Sequence, residues 1–325
     1  MSEIKVVVWG LGPHAIKNIL PAVKDCPGMK LYGVCSRNND MVSKVTKEYG
    51  CSGWNTSFEM LKDNNVDVVY LATPTGLHFK HGREILLASK HFWCEKPLAQ
   101  SLIQVEGILD VSHKQNVTVA EGFMYLYHPQ FLHLQQILKS GKLGKINNIN
   151  CRFGIPPLDR PGFRNNPDLG GGAFLDVGSY LISAISSLLI ESDIDVLFSN
   201  IKFSGNLLVD TFGCAVLSIA NETYITLEWS TNNSYRNEID IWGSKGSVST
   251  TRIFSKPYDY VPYFKFSDLH GNENSEMGKS ANHFLEMFRS FRDIIFDSKK
   301  AEKERFMILR RARLMNKIQS SNSEA

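Results

Sequence analysis

Ile4-Lys5-Val6-Val7-Val8-Trp9-Gly10-Leu11-Gly12-Pro13-His14-Ala15 joins a short β-branched run to a glycine-spaced turn. Such a run suits a strand buried on both faces, as in a parallel sheet. The G-x-G-x-x-A spacing that follows has a physical use there. Gly10 and Gly12 let the backbone turn tightly and approach a pyrophosphate, and the small Ala15 lets a helix pack close to the strand. That helix, read over Ile16 to Lys24, would aim its N-terminus at the phosphates. A glycine turn that binds nothing has the same residues, so the surrounding pattern must decide.

Moving outward, Lys30 to Cys35 and Val66 to Ala72 are further apolar runs, while Asp40 to Tyr49 and His78 to Ser89 read as helices. Strands alternating with helices at this spacing imply right-handed parallel βαβ units. Residues 1–122 are therefore expected to form a Rossmann-type dinucleotide-binding domain. At the end of the second strand, NAD-binding domains commonly carry a carboxylate for the ribose 2′-hydroxyl. Ser36-Arg37 stands there instead. A hydroxyl and a guanidinium suit a 2′-phosphate, which favours NADP(H) over NAD(H). An exposed loop arginine is the other reading.

With 325 residues, 43% of them hydrophobic and 21% charged, the chain suits two globular domains. From Asn147 onward come Asn147 to Phe153, Val196 to Phe203, Cys214 to Ile219, Thr223 to Trp229, Glu238 to Trp242 and Gly246 to Thr250. Their period-two patterning predicts an α+β domain over 123–325, with a large, mostly antiparallel open sheet. Ile225, Leu227 and Trp229 on one parity and Ile239 with Ile241 on another suggest an apolar cover, hence a homodimer or higher oligomer through this sheet.

The six cysteines and nine histidines show no metal-ligand spacing, so no metal is expected. A formal charge of +3 offers no field for nucleic acid. The basic run from Lys299 to Arg313 reads as an amphipathic helix with a solvated face. No apolar run reaches membrane-spanning length, and the N-terminus lacks a leader pattern, so a cytoplasmic protein without a membrane partner is expected.

Ala88-Ser89-Lys90-His91-Phe92-Trp93-Cys94-Glu95-Lys96-Pro97 resembles the A-G-K-H-V-x-x-E-K-P motif of the Gfo/Idh/MocA oxidoreductase family. The opening glycine motif and the loop Ala72-Thr73-Pro74-Thr75-x-x-His78 fit it too. Glu121-Gly122-Phe123-Met124-Tyr125, followed by His128, and Gly170-Gly171-Gly172-Ala173-x-x-Asp176-x-Gly178-x-Tyr180 match its later signatures. These forms are similar to the branch holding glucose–fructose oxidoreductase, dihydrodiol dehydrogenases and NADP-dependent aldose dehydrogenases. Nucleotide-sugar 3-ketoreductases share the tyrosine form, whereas inositol dehydrogenases have histidine at the place of Tyr180.

The resemblance implies an NADP(H)-dependent oxidoreductase acting on a hydroxyl or carbonyl of a sugar or nucleotide sugar. A catalytically idle NADP-binding regulator is the alternative. It assigns the cofactor to Gly10, Gly12, Pro13, His14, Ala15, Ser36, Arg37, Thr73, Pro74, His78, Glu95 and Lys96. It points to an unusual peptide before Pro97, cis among the options. Lys96, Tyr180 and Asp176 are the catalytic candidates, since hydride transfer needs a group that exchanges the hydroxyl proton. Tyr125, His128 and Arg164 join these three as substrate-binding candidates. Arg152, Arg160 and Arg236 could likewise meet a diphosphate or carboxylate. By residue type alone, a lysine is usually a surface charge and a tyrosine a core aromatic.

Overall fold

The computed structural model describes residues 3–203 and 208–322. The chain divides into two compact units. Met1–Phe123 with Phe284–Leu309 forms one, and Met124–His283 with Arg310–Ala325 the other. Residues 284–309 thus cluster with the dinucleotide-binding unit, although their position in the sequence assigned them to the second domain. Aromatic packing explains this: Phe288 lies against Tyr70 and Trp93, and Phe291 against Trp93. Arg292 Nη1 also donates to Pro27 O at 2.9 Å.

The first unit is built on β1 (Ile4–Trp9), β2 (Met29–Cys35), β3 (Ser52–Trp54), β4 (Val68–Leu71), β5 (His91–Cys94) and β6 (Val119–Glu121). Helices α1 (Leu20–Lys24), α2 (Asn39–Tyr49), α3 (Ser57–Lys62), α4 (His78–Leu87) and α5 (Leu102–Gln115) connect them. The strand order is β3-β2-β1-β4-β5-β6, and every pairing is parallel. This is the doubly wound Rossmann arrangement, with its order reversing at β1 and β4, where ligands bind in such sheets. Val6, Val7 and Val8 are wholly buried, as a central parallel strand requires.

In the second unit, α6 (Pro129–Lys139) leads into β7 (Ile146–Gly154), and α7 (Ser179–Leu188) follows a π-helical turn over Phe174–Gly178. Next come β8 (Asp195–Phe203), β9 (Asp210–Ile219), β10 (Thr223–Ser230), β11 (Arg236–Gly243), β12 (Gly246–Thr251), β13 (Tyr263–Asp268) and β14 (Glu273–Met277). Their order is β14-β13-β12-β11-β7-β10-β9-β8, antiparallel except for β7 with β10. Two helices close the chain, α8 (His283–Phe296) and α9 (Ser298–Ser320).

Register corrects the expectation about the sheet's apolar residues. Ile225, Ile149 and Ile241 sit side by side across β10, β7 and β11, as do Leu227, Cys151 and Ile239. All six are wholly buried on the single face that α7 and the π-turn cover, so they form this unit's own core and not a cover for a second copy. The opposite face carries rows such as Tyr224, Asn148 and Trp242, then Glu228, Arg152 and Glu238. The C-terminal run is helical, but its arginines are largely engaged. Arg305 donates to Leu109 O, Arg310 to Leu189 O and Ser192 O, and Arg311 is buried. Among the described residues one helical stretch, Pro167–Leu188, is long and apolar enough to span a membrane, and it is mostly buried core.

Candidate active site

In the first unit one cross-strand row sets the site. Trp54, Cys35, Trp9, Leu71, Cys94 and Glu121 are register partners across all six strands. The ladder runs one residue further: Gly10 N donates to Cys35 O, Ala72 N to Trp9 O, Glu95 N to Leu71 O and Gly122 N to Cys94 O. The glycine turn, Ser36-Arg37, Thr73-Pro74 and Glu95-Lys96 therefore leave the sheet along one carboxyl edge, the edge where open parallel sheets hold ligands.

Gly10 has φ +109°, and an added Cβ would lie 2.6 Å from Ala72 O, so packing alone requires glycine there. Gly12 differs. Its φ is ordinary and nothing lies within 4 Å of an added Cβ. No packing inside the chain explains the missing side chain, whereas close approach of a ligand to the backbone does. Ser36 Oγ accepts from Asn38 N at 3.2 Å, which leaves its own proton to donate. Arg37 is exposed and makes no ion pair among the described residues. These residues fit a 2′-phosphorylated dinucleotide.

Glu95 is the hub of this edge. Tyr70 Oη donates to Glu95 Oε1 at 2.7 Å, and His14 Nε2 lies 3.1 Å from the same oxygen. Burial pushes its carboxyl up, but the charge and hydrogen bond of His14, the Tyr70 hydroxyl and the Lys96 ammonium outweigh this and bring it to about 2. Glu95 thus ties the glycine turn to the lysine loop as a fixed anion. The Lys96–Pro97 peptide is cis. His78, expected beside the cofactor, is wholly buried, with Nδ1 2.9 Å from Pro97 O and Nε2 2.8 Å from Thr73 O. It thereby clasps those two loops from inside the protein. Tyr70 and the Trp9–His81 stack, at 4.3 Å between ring centroids, carry no sequence signal, because each looks like ordinary core or helix surface.

The second unit carries the other candidates. Asp176 lies in the π-turn and accepts from Arg164 Nε at 2.6 Å. Two residues expected to meet substrate are therefore already joined to one another, which suits Asp176 to orientation and not to proton exchange. Tyr180 enters α7, its ring lying against Phe153, Tyr125 and Phe254, and its hydroxyl donates to Met124 Sδ at 3.7 Å. A π-turn just before such a residue is a recurrent feature of functional sites.

Tyr125 is wholly buried. Its hydroxyl donates to Tyr180 O at 3.1 Å and shares a hydrogen bond with Ser183 Oγ, so it braces α7 from within. His128 is likewise wholly buried and caps α6, Nδ1 accepting from Gln130 N at 3.0 Å. Burial, reinforced by Lys256, holds it neutral at about 3. Arg152 is paired with Glu228 and Glu238, and Arg236 with Glu238, on the sheet's open face. Their charges are thus taken up by neighbouring strands. Among the described residues no group of three His, Cys, Asp or Glu could hold a metal ion.

Comparison with known proteins agrees with this arrangement. Residues 4–123 match the model of an oxidoreductase family with an NAD-binding Rossmann fold, and residues 131–249 match the GFO/IDH/MocA C-terminal domain. The chain belongs to the GFO/IDH/MocA family and is an NAD(P)-dependent oxidoreductase. Among its relatives is a dTDP-3,4-didehydro-2,6-dideoxy-alpha-D-glucose 3-reductase of Actinomadura kijaniata. It is 30% identical over 261 residues, 80% of this chain and 78% of the relative. A D-xylose 1-dehydrogenase (NADP(+)) of Haloferax volcanii is 31% identical over 188 residues, 57% of each chain. The crystal structure of KijD10, a 3-ketoreductase from Actinomadura kijaniata, in complex with NADP and TDP-benzene, superimposes with a TM-score of 0.94. It is 26% identical, covering 99% of this chain and 98% of that one. An aldose-aldose oxidoreductase from Caulobacter crescentus, at 19% identity and a TM-score of 0.86, shares the fold over 98% of each chain.

Proposed function

We propose that this oxidoreductase uses NADPH to reduce a ketone on a nucleotide-linked sugar. The observation that carries this reading is the likeness to dTDP-sugar 3-reductases along four-fifths of the chain. Ser36-Arg37 and the open space over Gly12 support the phosphorylated cofactor.

When bound, the nicotinamide supplies the hydride. The chain's own residues handle the oxygen that receives negative charge. Lys96, at the carboxyl end of β5, polarises the carbonyl and stabilises the developing alkoxide. Tyr180 gives the proton from its phenol, so that C=O becomes CH–OH. Arg164, held by Asp176, orients hydroxyl or phosphate oxygens. A second copy of the chain would pack on the open face of the second sheet, where Trp242 and Tyr224 are exposed.

Purified protein offered NADPH or NADH with a panel of nucleotide-linked ketosugars and free aldoses is expected to turn over the former with NADPH. Turnover confined to free aldoses would overturn the substrate class. Exchanging Arg37 for Asp removes the cation and supplies an acceptor for a 2′-hydroxyl. The ratio of kcat/KM for NADPH over NADH is expected to fall by about 10- to 100-fold, and an unchanged ratio would sink Ser36-Arg37 as the reader.

A further inference from the structure

Asp210 opens β9, far in sequence from Arg164, Asp176 and Tyr180, and it is buried. Its Oδ2 accepts from Phe174 N at 2.7 Å, at the mouth of the π-turn. Gly172 has φ +111°, and a Cβ added there would strike Asp210 Oδ1, so the carboxylate lies directly against the glycine turn. From that turn a closed circuit runs outward. Gly172 N donates to Arg164 O at 2.9 Å, Arg164 Nε donates to Asp176 Oδ2 at 2.6 Å, and Asp176 N donates back to Gly172 O at 3.1 Å.

We infer that Asp210 is a positioning residue for the reaction: by capping the π-turn and bearing on Gly172, it fixes the circuit that holds Arg164 on Asp176 and sets the entry of the helix carrying Tyr180. The inference rests on the reading that Asp176 and Tyr180 serve the reaction. Chemistry explains why a carboxylate is needed. Both of its oxygens can accept: Oδ2 takes the amide of Phe174, and the amide of Ala173 and the indole of Trp229 are the other N–H groups close to it. An amide side chain would accept on one side and place a donor against donors on the other. A protonated acid would do the same.

Burial pushes Asp210 up to about 6, partly offset by the Phe174 amide, the Trp229 indole, and the amides of Asp210 and Ala173. The charged groups on the elements packed around it are Asp176 on the π-turn, Arg164 and Asp168 on the segment before it, Glu228 on β10, and Asp195 and Lys202 on β8. Lowering the pH through 6 therefore weakens the N–H contacts of the cap and loosens the circuit locally, although the neutral acid costs the fold as a whole less to bury.

The test compares the wild type with Asp210→Asn between pH 5 and 8, by steady-state NADPH oxidation and by hydrogen exchange over residues 172–180. At pH 7.5 the variant's kcat is expected to be about 10- to 100-fold lower, as small misplacements of reacting groups produce. The KM for NADPH should stay within about twofold, since the cofactor residues lie in the other unit. The wild type's acid limb near pH 6 should vanish in the variant, and exchange at Gly172 to Phe174 should quicken about tenfold. An unchanged kcat with the acid limb retained would overturn the inference. So would wild-type protection factors, exchange corrected for its intrinsic pH dependence, that stay constant across pH 6, a measurement that needs no variant to fold. If exchange responds as expected but no sugar is turned over, the cap stands and the functional reading fails.

Discussion

Glu95 in the first unit and Asp210 in the second are both carboxylates withdrawn from water at the end of a strand, and both hold a functional turn in place. They ionise in opposite senses. Glu95 has His14 and Lys96 as cationic neighbours and the Tyr70 hydroxyl as a donor, and it is brought to about 2. Asp210 has only neutral N–H donors, and burial prevails, leaving it at about 6. Desolvation acts on both. What differs is whether a cation shares the site, and this decides whether a buried acid is a permanent anion or one that titrates under working conditions. The first unit thus has a fixed electrostatic frame and the second a frame that pH can relax.

The comparison is broken most severely at Lys96, which serves Glu95 as a counterion and, in the proposed function, stabilises the substrate oxygen. Lys96→Met is expected to lower single-turnover hydride transfer by at least about a thousandfold. Cofactor affinity, read by fluorescence titration, should stay within a few fold, because the glycine turn and Arg37 are untouched. The same substitution removes one of the groups depressing Glu95, so that acid should titrate at a higher pH. A variant with near wild-type turnover would show that the oxygen is stabilised elsewhere.

Glu95→Gln tests the fixed frame itself. A carboxylate whose folded pKa is depressed from 4.5 to about 2 contributes stability that is present above about pH 4.5 and lost as the pH falls through 2. That difference corresponds to about 3 kcal/mol. Half-exposed His14 screens part of that, so a loss of roughly 2 kcal/mol at pH 7 is expected in urea melts. The gap between variant and wild type should narrow as the solution is acidified below 4.5. A gap that is constant with pH would mean that hydrogen bonding, and not charge, holds the glycine turn to the lysine loop.

These two frames were not equally legible in the sequence. The glycine turn, Ser36-Arg37 and the motif ending in Glu95-Lys96-Pro97 are each local, and each leaves the sheet at a strand end that apolar patterning reveals. The three residues of β3 and of β6 are too short for that patterning, and they become strands only because β2 and β5 offer them an edge. In the second unit the motif from Gly170 to Tyr180 is local as well, and it was found. Its support is not. Asp210 lies more than thirty residues away and reaches Phe174 only through sheet packing, so no spacing rule could have paired them. Tyr125 and His128 lie in recognisable motifs, but their motifs do not tell whether a side chain faces a ligand or the core. Parity misled similarly at Ile225 and Ile239: β10 and β11 are consecutive in the chain but flank β7, and only register shows that their apolar residues share one face.

The smallest expected effect sharpens the contrast furthest, because it concerns a sign. Asp210 has a folded pKa raised above its ordinary 3.8, so its contribution to stability is complete below about pH 4 and is lost as the pH rises through about 6. At pH 7 the Asp210→Asn variant sheds a buried charge but also loses an acceptor on one side. These changes oppose each other, and the net effect on unfolding free energy should be within about 1 kcal/mol. Measured across pH, however, the wild type should lose stability relative to Asp210→Asn between 4 and 6, whereas it gains relative to Glu95→Gln between 2 and 4.5. Slopes of the same sign would mean that both acids are governed by the same surroundings. Opposite slopes, with kcat reduced in an Asp210→Asn protein that melts like the wild type, would separate holding the fold together from holding the reacting turn in place.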